Sequence, residues 1–75
     1  MTTNRPFDFL NDSIGKPVLI ELKGNNSIRG TLKAFDIHIN TVLDDAEELE
    51  ENQVKRKIGK VFLRGDTIIL ISPTE

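Results

Sequence analysis

The sequence predicts a single, mostly β domain in which one short helix precedes five strands. Apolar and polar side chains alternate in several short runs, as expected of half-buried strands. Glycine and asparagine separate these runs, and one early segment carries the signals of a helix start. The chain has 75 residues, a length that supports one hydrophobic core. We therefore treat residues 1–75 as one domain.

The predicted helix lies near the beginning of the sequence, over residues 4–10. Asn4 is a suitable N-cap, and Pro6 falls in the first turn, where its fixed φ is compatible with a helix. Phe7 and Leu10 are three positions apart and so share a face that could pack on a sheet. Gly15 then ends the segment.

The first two strands are predicted to form a hairpin. Residues 17–23 alternate between apolar and polar side chains, and residues 27–35 do so again. The inward-facing side chains of the first strand are predicted to be Val18, Ile20 and Leu22. Residues 24–26, Gly-Asn-Asn, are typical of a hairpin turn. Gly30 interrupts the second strand, which indicates a bend, a bulge or a close backbone approach.

The remaining strands are predicted at about residues 40–45, 54–64 and 67–72. The segment Asp44–Glu51 holds six of the twelve acidic residues, and we interpret it as a solvated loop between the third and fourth strands. The net charge of −2 would argue against a nucleic-acid partner. Ten basic and six acidic residues lie outside the acidic segment, however, so a nucleic-acid partner stays open.

The apolar composition of the last strand predicts that copies of the chain associate with one another. Ile68–Ile71 is apolar on both faces, so both faces should be buried, and an exposed apolar edge strand would pair without control. Small domains usually need an additional source of stability, and the sequence has no cysteine for disulfides. Head-to-tail pairing with another copy meets both needs, and such an interface forms a ring when it closes. The alternative is a central strand buried within the subunit.

Two polar clusters are the candidate site. In an extended backbone Asp36, His38 and Asn40 would share one face, and the tripeptide Arg64-Gly65-Asp66 follows later. An imidazole ring, an amide and a guanidinium together suit recognition of a flat polar ligand such as a base. Other readings are an ordinary turn histidine, a metal site with two ligands, an Asp–His pair serving a nucleophile, and a chance match to a cell-adhesion tripeptide.

These residues resemble a known family. The signature motifs of Sm and Sm-like RNA-binding proteins are matched by Val18–Lys23, Gly30–Leu32 and Asp36–Asn40, and then by Ile58–Asp66. The short length resembles the archaeal form. The resemblance implies a short helix on a strongly bent five-stranded antiparallel sheet, a small open barrel. The fifth strand of each subunit would pair with the fourth strand of the next, typically in a heptameric ring.

The resemblance also implies a role in RNA processing or as a ribonucleoprotein core. Uridine-rich single-stranded RNA would bind around the pore, with one nucleotide per subunit. His38 would stack on one face of a base and Arg64 would cover the other, while Asn40 would hydrogen-bond the base edge. Asp66 would hold Asn40 or a neighbouring backbone in place, and Gly65 would allow a close approach.

Further expectations concern the surroundings of this pocket. The resemblance places the segment around His38 on a loop, with Asp36 shaping that loop. Phe35 either packs locally or forms a second stacking platform with Arg5. We expect no enzymatic activity, cofactor or metal. The sequence has no apolar run long enough to span a bilayer and no signal segment, so we expect a cytoplasmic protein. The rival hypothesis is a self-assembling ring scaffold for protein partners, with little RNA affinity.

Overall fold

The computed structural model describes residues 6–74 and shows a helix followed by five strands. The elements, with a short 3-10 turn before the last strand, are α1 (Pro6–Asp12), β1 (Pro17–Leu22), β2 (Asn26–Phe35), β3 (Thr41–Glu50), β4 (Gln53–Leu63), the turn Gly65–Thr67 and β5 (Ile68–Pro73). The predicted order of elements is confirmed. The expected N-cap, Asn4, and the candidate contact Arg5 lie outside the described residues.

The strands form one bent antiparallel sheet in the order β4-β3-β2-β1-β5. Short turns connect the neighbours from β1 to β4, and β5 returns along the free side of β1. Strands β4 and β5 are therefore the two edges of the sheet. The alternative of a central, buried last strand within the subunit is wrong: Ile69 and Leu70 are exposed.

The hydrophobic core lies on the inner side of the bent sheet. Val18 and Ile20 of β1 are fully buried and Leu22 is partly buried, as their alternation predicts. Every strand contributes to this cluster, and its buried members are Val18, Ile20, Ile28, Leu32, Leu43, Ala46 and Leu63. Ile68 and Ile71 of β5 pack against it, so one side of the last strand is held by the subunit itself.

Gly30 lies where β2 and β3 approach each other closely. A Cβ atom built at this position would lie 2.8 Å from the carbonyl oxygen of Asp44 and 3.1 Å from the Cα of Ala46. The β2–β3 register also shifts between Arg29 and Thr31. Of the three alternatives that Gly30 indicated (a bend, a bulge or a close backbone approach), the structure shows the close approach together with a register shift, and this lets the sheet curl around its core.

The acidic segment is not a loop, as the sequence suggested, but most of strand β3. Apolar side chains occur here every third position, with Leu43, Ala46 and Leu49 buried. Shifts in the β3–β4 register absorb this spacing, and Asp45 takes a positive φ of 53°. Because the buried side chains recur every third position and not every second one, the segment does not show the alternation expected of a strand. Its many acidic residues then made a solvated loop the expected structure.

Basic residues on both neighbouring strands offset the acidity of β3. Arg29 Nε of β2 lies 2.8 Å from Glu47 Oε1, and Arg56 Nε of β4 lies 2.6 Å from Glu48 Oε1. The Nζ atoms of two lysines, Lys33 and Lys60, lie 3.6 and 3.8 Å from the carboxylate of Asp44. Opposite charges facing each other across strands favour the pairing. The chain turns only afterwards, at residues 51–52.

Helix α1 is tied to the sheet at both of its ends. The rings of Phe7 and Phe35 meet edge to face, with centroids 5.2 Å apart. At the other end, Gly15 N–H donates to Leu32 O at 2.7 Å, and Leu32 N–H donates to Lys16 O at 3.0 Å. Gly15 has a φ of 87°, a conformation suited to glycine. The predicted helix end at this residue is therefore close to the observed one.

Replacement of Gly30 by alanine should destabilise the protein. The new methyl group would press on the backbone of β3, and such overpacking costs about 1–3 kcal/mol. Urea unfolding at one fixed protein concentration measures the change. Ala34→Ser is the matched control, because Ala34 is exposed on the same strand and should shift stability by less than about 0.5 kcal/mol. Equal midpoints for both variants would contradict the close approach.

Candidate nucleic-acid interface

The segment Asp36–Asn40 is a tight turn between β2 and β3. Asp36 N–H donates to Asn40 O at 3.1 Å, and Ile39 N–H donates to Asp36 O at 2.9 Å. Ile39 takes a positive φ of 62°, which reverses the chain within a few residues. The loop placement implied by the family resemblance is confirmed, and the extended arrangement considered first is wrong.

The carboxylate of Asp36 organises this turn from within. Its Oδ1 accepts from the backbone N–H groups of His38, at 2.9 Å, and Asn40, at 3.1 Å. Its Oδ2 accepts from Asn40 Nδ2 at 3.0 Å. The hydrogen bond from the Asn40 side chain is the largest cause that lowers the pKa of Asp36 below its ordinary value of 3.8, and the two backbone hydrogen bonds lower that pKa further. Asp36 therefore positions the pocket residues.

The second turn closes on the first through Gly65. Gly65 N–H donates to Asn40 Oδ1 at 2.8 Å. A Cβ atom at Gly65 would collide with the backbone carbonyl of His38 and lie 2.9 Å from the carbonyl carbon of Ile39. A residue without a side chain is therefore required here, and the close approach expected of Gly65 is present.

Both polar atoms of the Asn40 side-chain amide are consequently held by hydrogen bonds. Asp36 binds one hydrogen of Nδ2, and the Gly65 N–H occupies one lone pair of Oδ1. An asparagine amide has two N–H donors and two lone pairs on its oxygen. One donor and one acceptor thus remain for a ligand, and their order in space is determined by the protein.

Arg64 and Asp66 flank Gly65 in the second turn. Arg64 Nη2 donates to Asp66 Oδ2 at 3.0 Å, and both side chains are largely exposed. The carboxylate that holds Asn40 is therefore that of Asp36, whereas the family resemblance implied that Asp66 would hold either Asn40 or a neighbouring backbone. The turn itself is closed by Thr67, whose N–H and hydroxyl donate to Arg64 O at 3.1 and 2.7 Å.

An open cleft of about 440 Å³ lies between the two turns. It is lined by all five residues proposed as the main site, namely His38, Asn40, Arg64, Gly65 and Asp66. The positioning role of Asp36 toward the Asn40 side chain was missed by the sequence analysis. The spacing of Asp36 from the next polar positions, typical of a carboxylate that caps its own turn, was the available signal.

The proposed second platform has a different environment. Phe35 is partly buried and contacts the ring of Phe7, which agrees with the local-packing alternative. Its other suggested member, Arg5, lies outside the described residues, so the pair stays a prediction. Within residues 6–74, no three potential ligands of the His, Cys, Asp or Glu type cluster around a metal position. In the same part of the chain, no helix has the length and apolarity to cross a membrane.

The fold and the two joined turns are those of the Sm fold. A family model described as the LSM domain matches residues 8–73, and the chain therefore belongs to this family. An Sm-like protein of Archaeoglobus fulgidus is 52% identical over 69 residues, which cover 92% of this chain and 90% of that protein.

Solved structures show the same similarity. The Sm protein of Pyrococcus abyssi, in complex with a uridine heptamer, superposes with a TM-score of 0.91 at 44% identity, covering 95% of this chain and 100% of that one. The P. aerophilum SmAP1 heptamer superposes with a TM-score of 0.90 at 40% identity, covering 99% of each chain.

Acid should release the Asn40 side chain only below the ordinary aspartate range. Because the pKa of Asp36 is lowered in the folded protein, the carboxylate keeps its hydrogen bonds above the usual value and loses them as the pH falls through the lowered one. The NMR signals of the Asn40 side-chain amide should therefore shift in a step whose midpoint lies below 3.8. An Asp36→Asn variant should lack this step, and a midpoint above 3.8 for the step that the variant lacks would contradict the assignment.

Proposed function

We propose that this protein binds uridine-rich single-stranded RNA as a subunit of a ring, with one base in each cleft. The uridine heptamer bound to the related P. abyssi Sm protein supports the ligand class. The P. aerophilum heptamer supports the ring. In this proposal the protein acts in RNA processing or as the core of a ribonucleoprotein.

The observation that carries the proposal is the orientation of the Asn40 amide. Uracil presents an N–H donor next to a carbonyl acceptor on its pairing edge, whereas cytosine presents an acceptor next to an amino donor. With Oδ1 held by Gly65 and Nδ2 held by Asp36, the remaining acceptor of Asn40 would accept from uracil N3–H, and its remaining donor would donate to a uracil carbonyl. Cytosine in the same position would place its unprotonated N3 against Oδ1, and an amide rotated by half a turn to suit it would lose both hydrogen bonds.

Base stacking supplies affinity in the proposed mechanism, and Asn40 supplies selectivity. The imidazole of His38 would cover one face of the base and the guanidinium of Arg64 the other. Such stacking contributes about 1–3 kcal/mol per base and tolerates any base. The Arg64–Asp66 ion pair is exposed, so it costs little to rearrange. Asp66 would then hold the guanidinium in a flat orientation over the cleft.

Ring assembly follows from the two open edges of the sheet. Strands β4 and β5 lie at opposite edges, so pairing β5 of one copy with β4 of the next continues the sheet through a head-to-tail interface rather than a two-fold symmetric one. An interface of this kind forms a ring when its rotation closes, and we propose the heptamer. A ring repeats one weak cleft along a single RNA strand, and linked sites raise the overall affinity without new contacts.

The same geometry supports a binding protein rather than an enzyme. The Asp36 carboxylate faces the backbone N–H groups of its own turn and the Asn40 amide, an arrangement that serves the shape of the turn and not a catalytic pair with His38. A cytoplasmic location is part of the proposal, and the cysteine-free sequence agrees with a reducing compartment.

Oligo(U) should bind more tightly than oligo(C), and Asn40→Ala should reduce the difference. Each lost hydrogen bond to the base removes about 1 kcal/mol of selectivity, and loss of the hydrogen bond between Gly65 and Asn40 should weaken binding of both oligonucleotides alike. Fluorescence anisotropy with labelled heptanucleotides at one salt concentration measures both affinities. Asn11→Ala is the matched control, because Asn11 is exposed on helix α1, away from the cleft.

Two outcomes of this experiment would contradict the proposal. Equal affinity of the unmodified protein for oligo(U) and oligo(C) would refute the role of Asn40. Intact rings without RNA affinity at physiological salt would instead favour the protein scaffold. Native mass spectrometry of the same samples separates these cases, because it reports the subunit number and the bound nucleotides together.

A further inference from the structure

A polar side chain occupies a core position beside the two turns of the cleft. Thr41 is the first residue of β3, and its side chain is fully buried. Its backbone lies opposite Phe35, the last residue of β2, and Leu63, the last residue of β4. The first turn begins directly after Phe35 and the second directly after Leu63. Thr41 therefore lies between the starting points of both turns.

The hydroxyl of Thr41 binds the backbone of the first turn. Its Oγ1 donates to the carbonyl oxygen of Ile39 at 2.7 Å. Within residues 6–74, the other large side chains that are fully buried are apolar, namely Val18, Ile20, Leu32 and Leu43. Because burying a hydroxyl is unfavourable unless it forms a hydrogen bond, the contact with Ile39 explains how a threonine is accommodated here. The strand thus directs a fixed donor at the turn.

Ile39 is held in a conformation that its side chain disfavours. Its φ of 62° lies in the left-handed region, where a β-branched residue is an outlier. Such strain persists only where the surroundings over-determine the backbone. Here the Ile39 N–H donates to Asp36 O at 2.9 Å, and the Ile39 carbonyl accepts from Thr41. The strained residue is therefore held on both of its sides, and the second hydrogen bond comes from the rigid strand.

The peptide group between Ile39 and Asn40 controls the direction of the Asn40 side chain. Its carbonyl is bound by the Thr41 hydroxyl, and its N–H donates to Asp36 Oδ1 at 3.1 Å. A Cβ atom at Gly65 would lie 2.9 Å from the carbonyl carbon of the same peptide group. Rotation of this peptide group would therefore displace the Asn40 amide and change the contact with Gly65.

We propose that Thr41 is a positioning residue for the base cleft. Its hydroxyl holds Ile39 in the left-handed conformation and thereby fixes the direction in which Asn40 presents its amide. The exposed carboxylate of Asp36 binds the turn from the solvent side, and the buried hydroxyl of Thr41 binds it from the core. The inference rests on the proposed function, because its expected effect is the selectivity for uracil, whereas the geometry it describes exists without RNA.

Thr41→Val and Thr41→Ser separate the hydroxyl from the volume of the side chain. Valine keeps the branched shape without the donor, whereas serine keeps the donor without the methyl group. Thr41→Val should lower the ratio of oligo(U) to oligo(C) affinity by roughly fivefold or more, the change that one lost hydrogen bond causes in an equilibrium constant. Thr41→Ser should keep the ratio, and a role in packing alone predicts the reverse order. Fluorescence anisotropy at one salt concentration measures both affinities.

Thr31→Val is the matched control, because it makes the same chemical change on β2, outside the cleft. Circular dichroism checks that each variant is folded. Thr41→Ala and Thr41→Ser differ by a single oxygen atom, so this pair gives the same comparison if the valine variant does not fold.

A second measurement needs no RNA. The hydrogen bonds of the first turn lower the pKa of Asp36, so a turn that has lost its contact with the core should hold this carboxylate less firmly. In Thr41→Val, the acid step of the Asn40 side-chain amide signals should move up toward pH 3.8. In Thr41→Ser and Thr31→Val, it should stay where it is in the unmodified protein.

The two measurements distinguish failure of this inference from failure of the proposed function. An unchanged affinity ratio and an unchanged acid step in Thr41→Val would overturn the role of Thr41, as would equal impairment of the valine and serine variants. Failure of the unmodified protein to bind oligo(U) would refute the proposed function instead, and the acid step would still decide whether Thr41 positions the turn.

Discussion

The hydrogen bond from Gly65 to Asn40 is the interaction on which the candidate site depends. It joins two turns that are 25 positions apart in the sequence and that belong to different strand connections. Gly65 reaches Asn40 because it has no side chain, since a Cβ atom would collide with the backbone of the first turn. The sheet brings the two turns to the same end of the molecule, and this single contact sets the width of the cleft between them.

Asp36 fixes the orientation of the Asn40 amide that accepts this hydrogen bond. An ionised carboxylate forms shorter and stronger hydrogen bonds than a neutral acceptor, and here it binds two backbone N–H groups and the Asn40 amide. The pKa of Asp36 is lowered because these hydrogen bonds stabilise the ionised carboxylate. An amide that could rotate freely would accept uracil and cytosine alike. The selectivity proposed for Asn40 is thus a property of its two neighbours as much as of its own side chain.

Local patterns predict most of this fold. The hairpin of β1 and β2 follows from alternation and its turn residues, and the close approach at Gly30 follows from a glycine inside a strand. The nature of β3 could not be predicted in this way, because its buried side chains recur every third position and depend on shifts in pairing with β4. For the site, the motifs name the residues that line the cleft. They do not reveal which carboxylate holds Asn40, since that depends on the three-dimensional course of the turn.

The unequal lengths of the two edge strands have a consequence for solubility. Strand β4 is longer than β5, so one half of it stays unpaired even in a closed ring. That half carries two exposed lysines, Lys55 and Lys57, on either side of Arg56, which is paired with Glu48. Adjacent positive charges along an open edge repel a second copy of the same edge, and lysine is the residue that natural sheets most often place there. The end of the β3–β4 hairpin can therefore extend beyond the ring without seeding fibrous aggregates.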